Sequence, residues 1–249
     1  MKIRIVSADK RYIKINELLL QRGYDSFISS YDERLPCHCL LLSVRDELNE
    51  EELKQLLKGI DKETLVLSGS GERIRRYFDG RVFDYGKDCD FVLKNALLTA
   101  EATLPYLYET TSSSLFGKRI FVAGYGRIGR ALCKILKSMG AEVVAYARRA
   151  EVVAQMRGDG VGFARLEDAC FSEIIINTVP FKIFTSDIMA EIPEGAQIID
   201  LASAPYGFED MSRVKIASGL PGKYLPESAS IAVFDTVCKI LSSNESEDI

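Results

Sequence analysis

Apolar and polar residues along this chain alternate between two rhythms, one of period two and one of helical period. Lys2-Ile3-Arg4-Ile5-Val6 reads as a strand, and a helix is predicted from about Lys10 to Arg22, with Gly23 as its stop. Strands follow at Ser26–Ser29, Cys39–Val44, Thr64–Leu67 and Arg81–Phe83, with a helix at about Glu50–Lys58 and a helical turn near Arg73–Phe78. A long Ala- and Leu-rich helix runs from Asp90 to about Tyr108 and leads into the polar stretch Thr110–Gly117, which reads as a hinge. Arg119–Ala123 then starts a second series: a helix at Ala131–Met139, a strand at Glu142–Ala147 and a helix at about Glu151–Arg157. Ser172–Asn177, Gln197–Leu201 and Val214–Ala217 read as buried strands, and Pro226 opens a last helix to about Leu241. The acidic tail Ser242–Asp248 is expected to be disordered. Strands alternating with helices predict parallel sheets covered by helices.

Between the strand Arg119–Ala123 and its helix lies Gly124-Tyr125-Gly126-Arg127-Ile128-Gly129. Three glycines at this spacing are a weak signal alone. Set in a strand, turn, helix, strand unit of about 30 residues, they form a dinucleotide-binding fingerprint. Gly124 permits the tight turn, Gly126 lets backbone approach a pyrophosphate, and Gly129 lets the helix sit close on the sheet. The helix N-terminus offers free N–H groups and the positive end of its dipole to the phosphates. The alternative is a purely structural turn.

The fold class expected is therefore α/β in two lobes, a C-terminal Rossmann doubly wound parallel sheet and a smaller N-terminal flavodoxin-like α/β lobe. The expected boundaries are 1–95 for the N-terminal lobe, 96–117 for a linking helix and hinge, 118–225 for the NAD(P)-binding domain, and 226–249 for the C-terminal helix and tail. The first strand-turn, Ser7-Ala8-Asp9-Lys10, carries no glycine fingerprint, so one dinucleotide is expected.

Cofactor choice turns on the end of the strand Glu142–Ala147. NAD sites usually place an acid about 20 residues past the glycines for the ribose 2′-hydroxyl. Here stand Arg148 and Arg149, which suit a 2′-phosphate, so NADP is expected, with NAD possible. The competing account is a solvated basic start to the next helix.

Composition narrows the picture. With 249 residues, 47% apolar, the chain is long enough for two cores. A net charge of −4 with mixed signs suggests no nucleic-acid partner, and no apolar run reaches membrane-spanning length. Six cysteines without a CxxC pair and no signal peptide suggest a reducing, cytoplasmic setting. Cys37-His38-Cys39 holds the sole histidine, but further ligands are lacking, so no metal is expected.

Three strand ends carry polar or proline-bearing loops where α/β sheets bind ligands: Asn177-Thr178-Val179-Pro180, Asp200-Leu201-Ala202-Ser203, and Gly219-Leu220-Pro221-Gly222. Read singly, each is equally turn chemistry. Together with the fingerprint and Ala147-Arg148, they resemble the family of dipicolinate synthase A subunits over about Ala100 to Leu241. More widely, the C-terminal lobe is similar to the cofactor domains of D-2-hydroxyacid, alanine and shikimate dehydrogenases.

The resemblance implies a nicotinamide-dependent oxidation of a dihydro- or hydroxytetrahydro-dipicolinate to dipicolinate, as in spore formation, with a smaller flavoprotein-like B subunit as partner. On that reading Asn177 and Ser203 position nicotinamide and substrate. Thr178, Val179, Pro180, Leu201, Ala202, Gly219, Leu220 and Pro221 join the fingerprint around the cofactor. Lys10 and Arg11 are the first-lobe cations suited to a dicarboxylate, and Glu101 and Thr103 would face an interlobe cleft, with a solvated helix face as the alternative. Aromatisation needs alignment more than a strong base, which fits a chain without a plausible catalytic histidine. An NADP-dependent dehydrogenase of another small carboxylate and a non-catalytic NADP(H) sensor are the alternatives. A homo-oligomer stays open.

Overall fold

The computed structural model describes residues 1–44 and 47–247, side chains through residue 243. In chain order the elements are β1 (Lys2–Val6), α1 (Arg11–Gln21), β2 (Asp25–Ile28), β3 (Cys39–Leu42), α2 (Glu50–Lys58), β4 (Leu65–Ser68), α3 (Gly71–Ile74), β5 (Val82–Asp84) and α4 (Cys89–Thr111). They continue with β6 (Arg119–Ala123), α5 (Arg127–Ser138), β7 (Glu142–Tyr146), α6 (Ala150–Gly158), β8 (Gly162–Phe163) and β9 (Ile174–Asn177). Then come α7 (Ser186–Glu191), β10 (Gln197–Asp200), β11 (Val214–Ile216), α8 (Leu220–Tyr224) and α9 (Pro226–Glu247). The chain divides into two compact units, Met1–Asn95 with Leu225–Ile249, and Ala96–Tyr224.

The first unit holds a five-stranded sheet in the order β2-β1-β3-β4-β5, parallel throughout. That is the flavodoxin-like strand order. β3 and β4 are buried along their whole length, as strands covered on both faces are. Asn49 starts α2 with a capping box, accepting the Glu51 and Glu52 N–H groups while Glu52 accepts its own. The leucines this aims inward, Leu53, Leu56 and Leu57, pack with Val6, Leu40, Leu42 and Val66. α9 closes this unit against α1, with Lys239 bonded to Asp88 and Asp90.

The second unit holds a six-stranded parallel sheet in the order β11-β10-β9-β6-β7-β8. Counted from β6, this is the Rossmann order 3-2-1-4-5-6. Phe121, Ile175 and Ile198 from the sheet pack with Phe184 and Phe208, whose rings stack at 4.5 Å.

Four expectations need correction. Thr110–Gly117 is not where the units divide: the division falls between Asn95 and Ala96, inside α4. Thr110 and Thr111 stay helical with their hydroxyls bonded back to the carbonyls of Tyr106 and Leu107, and Leu115 is buried. The C-terminal helix from Pro226, set apart in the expected division, belongs to the first unit. The last helix, expected to end near Leu241, runs as α9 to Glu247; Asp248 lies outside the described residues. Val214–Ile216 is an edge strand with Lys215 and Ile216 exposed, because only β10 flanks it.

Candidate functional site

Register brings the candidate loops of the second unit to one sheet edge. Ala123 lies opposite Tyr146 and Asn177, Asn177 opposite Asp200, and Asp200 opposite Ile216. These residues end their strands in a row. The chain leaving that row is Gly124–Gly129, Ala147–Arg149, Thr178–Pro180, Leu201–Ser203 and Ala217–Gly219. Parallel pairing alone produces this, since it puts all carboxyl ends on one side.

The three glycines of the turn sit in different surroundings. Gly124 adopts φ +97, and a side chain there would collide with Thr178 Oγ1 and lie 2.8 Å from Val179 Cγ2. Gly129 is pressed so closely on Gly124 that a Cβ would meet its carbonyl. At Gly126 a Cβ would meet nothing within 4 Å. Gly126 is also the N-cap of α5, and no side chain caps that helix. Two glycines fix the loop, and the third leaves open space before uncapped helical N–H groups. That is the cradle a pyrophosphate requires, so the residues present fit a dinucleotide.

Tyr125 does not line this cradle with its side chain. Its ring is buried and its hydroxyl donates to Asp159 at 2.9 Å, while Arg130 holds the same carboxylate at 2.8 Å. Burial pushes the Tyr125 hydroxyl well above its ordinary value, and the Arg130 and Tyr125 hydrogen bonds hold Asp159 below the usual carboxylate range. Tyr125 therefore offers a ligand only backbone. Arg127 is exposed and Ile128 half-buried on the first turn of α5. Arg148 is exposed just past β7 with no ion pair among the described residues, whereas Arg149 reaches Glu151 at 3.6 Å. The two arginines are thus unequal.

Asn177 corrects the expectation of a substrate-facing amide. It is 0% exposed; its Nδ2 donates to the Val179 carbonyl and to Asp200 Oδ1, and its Oδ1 accepts the Val179 N–H. Asp200, read in the sequence only as the start of its strand-end motif and given no role, is also fully buried and accepts the Ala202 and Gly207 N–H groups at 2.8 and 2.7 Å. A Cβ on Gly207 would strike the Asn177 amide. Together Asn177 and Asp200 tie both strand-end loops in place. An Asn and an Asp ending neighbouring strands were the available signal, but only the pairing shows them bonded. Thr178 donates to the Ala123 carbonyl at 2.9 Å, Val179 is half-buried and Pro180 exposed. Leu201 and Ala202 are buried, while Ser203 is exposed. Gly219, at φ +70, turns the chain into α8, where Leu220 and Pro221 are buried as packing residues rather than as a loop laid along a ligand.

Lys10 and Arg11 belong to the first unit, at the start of α1. Lys10 is exposed, but Arg11 is already engaged by Asp9, so it is not a free cation. On α4, Glu101 is exposed, whereas Thr103 is buried with its hydroxyl on the Thr99 carbonyl, so it presents nothing to a ligand. His38 accepts the Lys2 N–H at 2.8 Å. Among the described residues no group of three His, Cys, Asp or Glu is placed to hold a metal, and no helix is long and apolar enough to cross a membrane.

Comparison with known proteins agrees with this geometry. Residues 104–206 match the NAD binding domain of D-isomer specific 2-hydroxyacid dehydrogenases, so the chain carries a nicotinamide-dinucleotide-binding domain. The dipicolinate synthase A subunit of Bacillus subtilis is 27% identical over 169 residues, 64% of this chain. The match spans 57% of that protein's length. Two solved structures share the fold. The dipicolinate synthase A subunit from Bacillus halodurans superposes with a TM-score of 0.80 at 22% identity, covering 96% of this chain and 97% of that one. The corresponding Bacillus subtilis structure superposes with a TM-score of 0.80 at 20% identity, covering 99% and 97%. The resemblance read from the strand-end motifs is thus to the protein these comparisons return, and the two-lobed α/β fold expected from the pattern is the one observed.

Proposed function

We propose that the chain is an NADP-dependent oxidoreductase of the dipicolinate synthase A-subunit type, working with a flavoprotein-like B subunit on a cyclic dicarboxylate. The observation that carries the reading is the glycine cradle: Gly124 and Gly129 are locked against Thr178 and against each other, while Gly126 faces open space at an uncapped helix end. The same edge bears Arg148, exposed and unpaired among the described residues, to select the 2′-phosphate. When bound, the nicotinamide supplies the hydride acceptor. The chain's part is alignment: Asn177 and Asp200 hold the Thr178–Pro180 and Leu201–Ser203 loops, and exposed Ser203 offers a hydroxyl for positioning. Converting a dihydrodipicolinate to dipicolinate removes one hydride and one proton. The gain of aromaticity drives proton loss, so no histidine base is required. A cytoplasmic setting and a role in spore formation follow from this reading.

The test is the ultraviolet absorbance of dipicolinate formed from freshly prepared dihydrodipicolinate and NADP, with both subunits present. Turnover above the spontaneous rate is expected. Ser203→Ala should lower kcat more than it weakens NADPH binding. Product at only the spontaneous rate, with nucleotide binding intact, refutes the substrate and leaves a dehydrogenase of another small carboxylate or an NADP(H) sensor.

A further inference from the structure

The six-stranded sheet divides at β6, with β7 and β8 on one side and β9, β10 and β11 on the other. In this strand order a dinucleotide straddles the division, one mononucleotide over each half. The glycine turn and the end of β7 take the adenosine half, which leaves the nicotinamide over the ends of β9 and β10. Asn177 and Asp200 end those two strands, opposite each other. Neighbouring strands stand about 4.8 Å apart, so Asp200 lies two spacings, roughly 10 Å, along the row from the glycine turn. The inference that follows rests on the nucleotide site proposed above.

Hydrogen bonding fixes the charge of Asp200. Its Oδ1 accepts the Asn177 amide at 3.0 Å and the Ala202 N–H at 2.8 Å, and its Oδ2 accepts the Gly207 N–H at 2.7 Å. Both oxygens accept and neither donates, the pattern of an ionised carboxylate rather than an acid with an O–H. The donors are all neutral, and among the described residues no cation forms an ion pair with it. The side chain is 0% exposed. Three N–H groups explain why an acceptor stands here, but they do not cancel its charge. The cations on neighbouring segments, Lys182 before the Ile183–Gly207 bond and Lys215 on β11, are exposed, where solvent and salt screen them.

We propose that Asp200 selects the oxidation state of the cofactor, favouring oxidised nicotinamide through its field and without contact. The ring is cationic when oxidised and neutral once it has gained a hydride. A fixed buried carboxylate attracts the first form and is nearly indifferent to the second. A unit charge roughly 10 Å away, at an effective dielectric of about 20, changes an affinity about tenfold. For a two-electron couple, a tenfold preference lowers the bound midpoint potential by about 30 mV. Burial serves this role, because water around the carboxylate would screen it. The bias loads the site with the hydride acceptor and hastens release of the reduced form. An aromatising reaction tolerates the weaker oxidant because the gain of aromaticity drives it.

Calorimetry on the full chain tests this with NADP⁺, NADPH and 2′-phospho-ADP-ribose, which lacks the ring. The wild type should bind NADP⁺ at least as tightly as NADPH. In Asp200→Asn, NADP⁺ affinity should fall about tenfold relative to NADPH, while NADPH keeps its affinity relative to 2′-phospho-ADP-ribose. Partial unfolding weakens all three by one common factor, so a merely structural role leaves both ratios unmoved. An unchanged ratio of NADP⁺ to NADPH overturns the proposal. Asp200→Ser gives the same comparison if the asparagine variant does not fold. If neither folds, the wild type decides: NADPH the tighter ligand overturns the proposal, and NADP⁺ the tighter supports it. NAD⁺ and NADH replace the pair if Arg148 reads no 2′-phosphate. A wild type that binds no nucleotide refutes the site itself, and this role with it.

Discussion

Substituting the three fingerprint glycines one at a time separates a cofactor cradle from a merely structural turn. Gly126 has ordinary φ of −81 and open space around its Cβ position, so Gly126→Val meets no protein atom. Its folding cost is a loss of N-cap preference of about 1 kcal/mol, partly offset by a less flexible unfolded chain. Gly129→Ala drives a methyl into the Gly124 carbonyl, an overpacking cost of about 1–3 kcal/mol. Gly124→Ala adds a positive-φ penalty of roughly 1–2 kcal/mol to a collision with Thr178, for a total near 2–5 kcal/mol. At about 2–4 °C per kcal/mol, Tm should fall least for Gly126→Val and most for Gly124→Ala. Nucleotide binding should order the opposite way per degree of destabilisation. Valine at Gly126 displaces a pyrophosphate from two or so charge-assisted N–H bonds worth about 1.5–3 kcal/mol each, weakening NADPH by roughly 10² to 10⁴-fold. Thermal melts and calorimetry on the same three variants give both numbers. Unchanged NADPH affinity in well-folded Gly126→Val would falsify the cradle, and a Tm loss there equal to that of Gly124→Ala would refute the packing argument.

Two further outcomes are expected. Arg148→Ala should weaken NADPH about tenfold or more while leaving NADH nearly unchanged, and adding Arg149→Ala should add little because Arg149 leans on Glu151; equal loss for both nucleotides would mean Arg148 reads no 2′-phosphate. Asp88 caps α4 through the Asp90 and Phe91 N–H groups, and the Phe91 bond, with burial opposing and Lys239 assisting, holds its carboxyl below the ordinary range. A depressed folded pKa contributes stability above the unfolded value that is lost as pH falls through the folded one. Urea midpoints should therefore drop on acidification below the usual Asp range, and Asp88→Ala, about 1 kcal/mol less stable at neutral pH, should flatten that slope; parallel acid profiles for the two proteins would rule Asp88 out as its source.

Local chemistry made the architecture legible. Apolar runs such as Cys39–Leu42 and Ile174–Asn177 can only be strands covered on both faces, and their alternation with amphipathic helices dictates parallel sheets. The glycine turn was legible because its demands, a positive φ at Gly124 and close backbone contact at Gly129, are met by glycine alone. What a side chain touches across strands was not legible. Asn177 and Asp200 lie 23 positions apart, and nothing local says that pairing of β9 with β10 sets them in hydrogen-bond contact, turning a supposed substrate amide into a loop tie. The same holds for Thr103, hidden by helix packing, for Arg11, taken by Asp9, and for α8, where Leu220 and Pro221 turn inward. Polar composition suggested a hinge at Thr110–Gly117, yet threonine hydroxyls can return to the carbonyls of their own helix, and only the packed structure shows that they do. The sequence by itself determined which elements form and where the glycine turn stands between β6 and α5, because those depend on neighbours in the chain. Tertiary structure alone decided which polar side chains remain free to meet a ligand, because that depends on what folding brings against them.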